Sequence, residues 1–478
     1  MRNLTMLTDL YQLTMMYGYY KTGSYRNEAV FDLFFRQKGQ INYAVGAGLE
    51  QAVEFINDLR FDKEDIEYLR GLKLFGEDFL KYLSDFKFTG DLYSVAEGEI
   101  VFPGEPILIV KAPLIEAQLV ETALLNIVCH QTLIATKASR IVQAADGKTV
   151  VEFGLRRAQG PDAGIYGSRA SIVGGCKGTS DVLAAQMFAV EPKGTHSHSW
   201  VMSFGSELEA FRKFAEVYPD NCLLLVDTYD TLRSGIPNAI TVFRELRAKG
   251  HKPVGIRLDS GDLAYLSKKA RQMLDEAGFE DTIIFASNDI DEELLDSLNV
   301  QGAKIDVYGV GTKLITSDGM PSLGGVYKLS QITRDGIAYP VMKFSDSIEK
   351  ITNPGFKTVY RIYDKATGKA FADLIALRGE KLEKPLTLTH ETERWKRTVM
   401  ADYEYKELLL PVFKNGKQVY KCPSLDDSAK YCSASLSTFW EEYKRLKNPH
   451  IYKVDLSDKL YELKQSLLSA VNGEVHGI

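Results

Sequence analysis

Five short runs between residues 148 and 312 constrain the fold most: "KTVVEFG", "CLLLVDTYD", "KPVGIRLDSGD", "TIIFASNDID" and "KIDVYGVGT". Each is rich in β-branched residues or Leu and finishes in Asp, Ser, Asn, Gly or Arg. Most are separated by helical patterns, such as "DLAYLSKKARQMLDEAG", which is expected to bury Leu263, Leu266, Ala270, Met273 and Ala277 on one face and to stop at Gly278. Strand, polar tip and helix repeating at roughly thirty residues is the rhythm of parallel βα units, in a barrel or an open sheet. In both architectures ligands sit at the carboxyl ends of the strands, so the polar tips are the candidate site.

The rest of the chain has a different texture. Before residue 139 come a helical opening, the strand-like "AVFDLFFRQ", a short β-rich stretch, and a long apolar-periodic helix or helix pair beginning at "LIEAQLVETALL". After residue 345, "FSDSIEKITNPGFKTVYRIYD" reads as a basic loop, followed by mixed helices and strands. The expectation is an α/β protein: an N-terminal α/β domain over 1–138, an irregular TIM-like βα barrel over 139–345, and a C-terminal α+β extension over 346–478 packing on the N-terminal domain.

Composition narrows the function classes. A net charge of −6 argues against general affinity for nucleic acid or an anionic membrane, while leaving room for a local basic cluster. The N-terminal segment does not read as a signal peptide, and no run approaches the ~18 apolar residues of a membrane span. Five cysteines without a C-x-x-C pair fit a reducing cytoplasm, and a zinc knuckle from Cys422 and Cys432 is the one metal option they leave.

The strand tips carry several chemistries, each with a plainer alternative. His196 and His198 in "GTHSHSW" could be metal ligands, packed residues, or one acting imidazole oriented by Asp227 of "VDTYD". The metal reading lacks further histidines at later tips. Arg257 and Asp259, two residues apart and so on one face, could grip phosphate together with magnesium or ribose, or form a buried ion pair with Asp262 capping the next helix. Ser287 and Asn288 suit hydroxyl or phosphate contacts. Gly309, Gly311 and Thr312 could cradle a phosphate on backbone N–H groups, or simply turn the chain. Arg156 and Arg157 favour an anionic ligand or lie solvated on the surface. Tyr11 is an aromatic platform or a helix core residue.

Taken together, "TDLYQLTM", "FDLFFR", "EFGLRRAQGPD", "GTSDVLA", "GTHSHSW", "VDTYDT", "RLDSGDL", "SNDID", "DVYGVGT" and "LKNPHIYKVDLSDKLYELK" resemble the blocks of the nicotinate phosphoribosyltransferase family, in family order over essentially the whole chain. The resemblance implies an ATP-coupled transfer of phosphoribosyl from phosphoribosyl pyrophosphate to nicotinate, with magnesium, in a cytoplasmic homodimer with shared active sites. It implies that His198 accepts phosphate from ATP and that Asp227 orients it. Nicotinate would lie between Phe153 and a Tyr11 from the partner subunit, with Arg156 in the pocket. Ser180 stands where the nicotinamide enzymes carry an aspartate, which favours the acid over the amide. Arg257 and Asp259 match the positions that hold phosphoribosyl pyrophosphate, with Asp259 near magnesium and partly reaching it through water. Asn288, Gly309, Gly311 and Thr312 match 5′-phosphate and ribose contacts, and Arg36, Lys343, Lys350 and Lys357 resemble phosphate-facing cations. The rivals are a nicotinamide phosphoribosyltransferase, a metal-dependent TIM-barrel hydrolase and a non-catalytic nucleotide-binding protein.

Overall fold

The computed structural model describes residues 3–36, 42–345, 347 and 350–475, with side chains through residue 470. The chain divides into two compact units, 1–133 with 322–478, and 134–321.

The second unit holds the five βα runs. Its strands are β1 (Thr149–Glu152), β2 (Leu223–Leu225), β3 (Gly255–Leu258), β4 (Ile283–Asn288) and β5 (Val307–Val310). They form one parallel sheet in the order β1-β5-β4-β3-β2. Helices Pro161–Val173, Ile236–Ala248, Leu263–Glu276 and Glu292–Val300 follow strands in the manner of βα units. The strand interiors are apolar almost throughout because both faces of a parallel sheet are covered, which explains their continuous hydrophobic runs. Beyond β1, isolated bridges join Glu152 to Thr179 and Thr179 to Pro192, but no ladder among the described residues closes β1 onto β2. The architecture is therefore α/β with one parallel sheet; of the barrel and open sheet that the rhythm allows, the ladders do not form a closed TIM barrel.

Helix Leu263–Glu276 buries Leu263, Ala264, Ser267, Ala270 and Leu274, a stripe rotated from the expected one. Ser267 can sit inside because its hydroxyl donates to the Ala264 carbonyl and accepts from the Lys304 N–H. The expected apolar pair Leu266 and Met273 is only half-buried.

The first unit carries an antiparallel seven-stranded sheet ordered Ile337–Pro340, Gly325–Arg334, Glu28–Phe35, Leu108–Pro113, Asp91–Ser94, Leu410–Lys414, Lys417–Gln418. Residues 322–345, placed with the barrel on sequence, belong here because strand Gly325–Arg334 pairs with Ala29 to Phe35 of strand Glu28–Phe35. The stretch read as a basic loop also differs: Lys357–Asp364 is an almost wholly buried strand in a four-stranded sheet with Tyr403–Glu407, Ala370–Leu377 and Lys453–Leu456. With both faces covered, its polar residues are neutralised internally; Arg361, fully buried, meets Glu99 at 2.7 Å and Asp373 at 2.6 Å.

Candidate active site

The carboxyl ends of β2, β3 and β4 converge on one polar cluster. Arg257, on β3, donates from Nε to the Ser287 hydroxyl (2.8 Å) and from Nη2 to Asp259 Oδ1 (2.7 Å). Ser287, near the end of β4, also donates to Asp259 Oδ1. The ion pair expected as the plainer alternative is therefore formed, and Asp262 does cap the following helix through the Tyr265 N–H. The pair is not sealed, however: 29% of the Asp259 side chain stays exposed, so a ligand can reach it. Its carboxyl titrates below the usual range, because the Ser287 and Arg257 contacts outweigh the cost of its partial burial.

His198 opens a short helix, His198–Met202. Its Nδ1 lies 3.1 Å from the Thr228 hydroxyl and its Nε2 3.7 Å from Asp259 Oδ2. No hydrogen bond joins Asp227, expected to orient this imidazole, to the ring itself. Asp227 Oδ2 accepts the Asp259 N–H (2.8 Å) and the Ser260 hydroxyl (2.7 Å), so this oxygen shapes the turn after β3, while Oδ1 is buried without a hydrogen-bond partner. Thr228 is the ring's hydrogen-bonding partner, and the Asp259 carboxylate lies nearby. Sequence reasoning missed Thr228, although its place beside Asp227 at a strand tip was the available signal.

His196 lies inside the fold. Only 9% exposed, it packs on Phe214 at 4.6 Å between centroids, and its Nε2 accepts the Leu225 N–H at 3.3 Å. Burial pulls its pKa down to about 4. Among the described residues no group of three or more His, Cys, Asp or Glu side chains gathers into a metal site, around the H-x-H pair or around Cys422 and Cys432.

Phe153 follows β1, its N–H donating to the Val310 carbonyl (2.8 Å). Its ring stacks at 5.5 Å and 18° on Phe285, and the Arg257 guanidinium lies 5.5 Å from its centroid. Gly309 is a glycine for this reason: a Cβ there would come within 2.7 Å of both rings. The missing side chain thus makes room for the aromatic pair. Gly311 and Thr312 begin the short helix Thr312–Ile315, the Gly311 carbonyl accepting from Leu314 and Ile315. Asn288 ends β4, exposed.

The tip after β1 is organised by Glu152, which no sequence signal had marked. Fully buried, it accepts from the Gly154 N–H, the Ser168 hydroxyl (3.0 Å) and the Thr179 hydroxyl (2.6 Å). Burial pushes its carboxyl up. Its backbone carbonyl accepts the Ser180 N–H (2.9 Å), which sets half-buried Ser180 beside the Phe153 segment. Arg156 and Arg157 lie exposed in the turn Leu155–Arg157.

The remaining expected site residues belong to the first unit. Tyr11 is 49% exposed on helix Leu10–Thr22 and donates to Glu121 (3.3 Å), so it is no core residue. Arg36 ends strand Glu28–Phe35, half-buried, its Nε without a partner among the described residues. Lys343 and Lys350 are exposed. Lys357 is a correction. It is buried against Asp32 at 2.7 Å and donates to the Asn353 (2.8 Å) and Gly355 (2.6 Å) carbonyls, so no donor is left for a phosphate.

Parallel strands that end in an Arg–Asp–Ser grip beside an imidazole and an aromatic face define an α/β protein of the kind that handles an anionic ligand at its strand tips. Residues 6–129 match the nicotinate phosphoribosyltransferase (NAPRTase) N-terminal domain, and residues 356–464 the nicotinate phosphoribosyltransferase C-terminal domain. The nicotinate phosphoribosyltransferase of Bacillus subtilis is 46% identical over 99% of this chain and 97% of its own length. The human nicotinate phosphoribosyltransferase is 33% identical over 97% and 96%. The crystal structure of human nicotinic acid phosphoribosyltransferase superposes with a TM-score of 0.84 at 31% identity, covering 96% of this chain and 99% of that one. The chain belongs to the nicotinate phosphoribosyltransferase family.

Proposed function

We propose that the protein joins nicotinate to phosphoribosyl pyrophosphate, giving nicotinate mononucleotide and pyrophosphate for NAD synthesis, with ATP hydrolysed alongside through a phosphohistidine at His198. The observation that carries the reading is the Arg257–Asp259–Ser287 grip, with His198 within 3.7 Å of the same carboxylate. Family membership supplies the substrate class.

The chemistry follows from what these residues can do. As the C1′–O bond loosens, the leaving pyrophosphate gathers negative charge, and the Arg257 guanidinium is held ready to meet it without reorganising. The Phe153 ring offers a flat face to the pyridine, so stacking aligns the nitrogen with the electrophilic carbon and leaves its lone pair free. At His198, an Nδ1–H donated to Thr228 leaves the lone pair on Nε2. That nitrogen attacks the γ-phosphorus of ATP, the N–P bond forming as the bond to ADP breaks.

The donor set fits magnesium. Asp259 Oδ2 is not used by Arg257 or Ser287, and Asp227 Oδ1 is buried without a hydrogen-bond partner, giving two hard oxygens at the tips of the paired strands β2 and β3. Magnesium held there would absorb part of the pyrophosphate charge.

Ser180 supports the acid as substrate, since it brings no negative charge against the nicotinate carboxylate. Exposed Leu7, Leu10, Tyr11 and Met15 support a homodimer in which helix Leu10–Thr22 offers Tyr11 to a second copy. The bridges beyond β1 support an irregular barrel. The five cysteines are free and no helix among the described residues is long and apolar enough to cross a membrane, which supports a cytoplasmic enzyme.

The test is incubation with phosphoribosyl pyrophosphate and magnesium, with and without ATP, offering nicotinate and nicotinamide in competition. Nicotinate mononucleotide should form and ATP should speed it. Amide product in excess, or no product at all, would overturn the reading.

A further inference from the structure

The two histidines of "GTHSHSW" diverge, and the buried one has chemistry of its own. β2 is the last strand of the parallel sheet, so its outward N–H groups have no neighbouring strand to receive them. A buried N–H left unpaired costs about as much as a lost hydrogen bond, and an open strand edge is normally covered. Leu225, 1% exposed, solves this by donating to His196 Nε2 at 3.3 Å. His196 Nδ1 lies 3.4 Å from the Ser197 carbonyl, so the ring is held neutral with its proton on Nδ1. Its face rests on Phe214 at 4.6 Å and lies 6.4 Å from Phe211, both on helix Glu207–Val217, and this fixes the ring plane.

Two residues further on, His198 makes the second attachment of the same segment to the same strand end. Its Nδ1 meets Thr228, which lies three residues past Leu225. The segment is thus pinned twice, once at a buried edge and once at the exposed tip. The first pin determines where the second can reach.

We propose that His196 is a positioning residue for the ATP-coupled half of the reaction: its imidazole replaces a strand carbonyl at the sheet edge and thereby sets the distance of His198 from Thr228 and Asp259. This rests on His198 being the phosphate acceptor. An edge cap with no positioning role would lower every activity alike, whereas a positioning residue changes the benefit drawn from ATP. A misplacement on the order of 1 Å is enough to cost a group transfer roughly a hundredfold.

The experiment compares wild type, His196→Phe, His196→Gln and His198→Ala in the full chain. It measures mononucleotide formation with and without ATP, and acid-labile phosphate retained on the protein from γ-labelled ATP. Phe keeps the packing and removes the acceptor; Gln can place an oxygen near the position of Nε2. The ratio of ATP-stimulated to ATP-free rate should fall roughly tenfold in H196F, phosphoenzyme should fall with it, and H196Q should keep most of both. A wild-type ratio in H196F overturns the inference, and so does an equal loss with and without ATP. Should H196F not fold, H196Q decides alone, since loss of its ATP stimulation sinks the idea. If H198A is itself still stimulated by ATP, the phosphohistidine reading has failed and the inference goes with it; H198A unstimulated beside a normal H196F fails the inference only.

Discussion

The Nδ1 of His198 and the hydroxyl of Thr228 lie 3.1 Å apart, so the imidazole is hydrogen-bonded to a neutral threonine and not to the neighbouring Asp227. Thr228→Val keeps the shape and removes the bond. Since one such hydrogen bond is worth about 1 kcal/mol, ATP-stimulated turnover should drop roughly fivefold. Thr228→Ser should restore it, as measured by steady-state rates and phosphoenzyme yield. An unchanged T228V would return the orienting role to a carboxylate.

Gly309 faces the Phe153 and Phe285 rings. Gly309→Ala puts a methyl carbon about where 2.7 Å contacts would arise with both, and overpacking of this kind costs about 1–3 kcal/mol. The expected outcome is a raised KM for nicotinate with a smaller change in the KM for phosphoribosyl pyrophosphate, because the displaced ring belongs to the pyridine side. Steady-state kinetics in each substrate check this, and a selective rise for phosphoribosyl pyrophosphate would favour the phosphate-cradle reading of that glycine.

Lys357 and Asp32 form a buried pair in which burial pushes the carboxyl up and the ammonium down. Lys357→Met leaves Asp32 buried and uncompensated, which should cost about 3–5 kcal/mol. Adding Asp32→Asn should recover much of the loss. Denaturation midpoints of the single and double variants measure both. Near-normal stability in K357M with a raised KM for a phosphate substrate would show the lysine to be a substrate contact after all.

His196 ties stability to acidity. Its folded pKa, about 4, lies below the ordinary value of roughly 6.5, so between these values the unfolded chain binds the extra proton and folding weakens as pH falls. The contribution is complete above about pH 6.5, declines through the window, and amounts to about 3 kcal/mol when lost. Protonation turns Nε2 from acceptor to donor and breaks the bond from Leu225. The difference in unfolding free energy between wild type and H196Q, followed from pH 7 to 4, isolates this group from the buried carboxylates. A difference that stays flat would refute it.

The parallel strands were legible in the chain because each is a short apolar run ending in a polar tip, and a strand covered on both faces leaves that signature. Arg257 and Asp259 were legible as partners because residues two apart in a strand share a face. The partner of His198 was not, since "VDTYD" offers several acceptors and only the folded chain brings the Thr228 hydroxyl to the ring and Ser260 to one oxygen of Asp227. Lys357, expected as a phosphate-facing cation from its resemblance in a basic stretch, misled for a related reason: Asp32, more than three hundred positions away, is brought against it.

The sequence by itself determined the α/β class, the parallel register of chemistry along strand tips, and the family, because these depend on local periodicity and on motif order. Only the tertiary structure decided which of two adjacent histidines is buried, which carboxylate faces the other, and why residue 309 has no side chain. Those outcomes depend on which distant groups compete for each donor and acceptor, and that competition is settled by packing, not by neighbours along the chain.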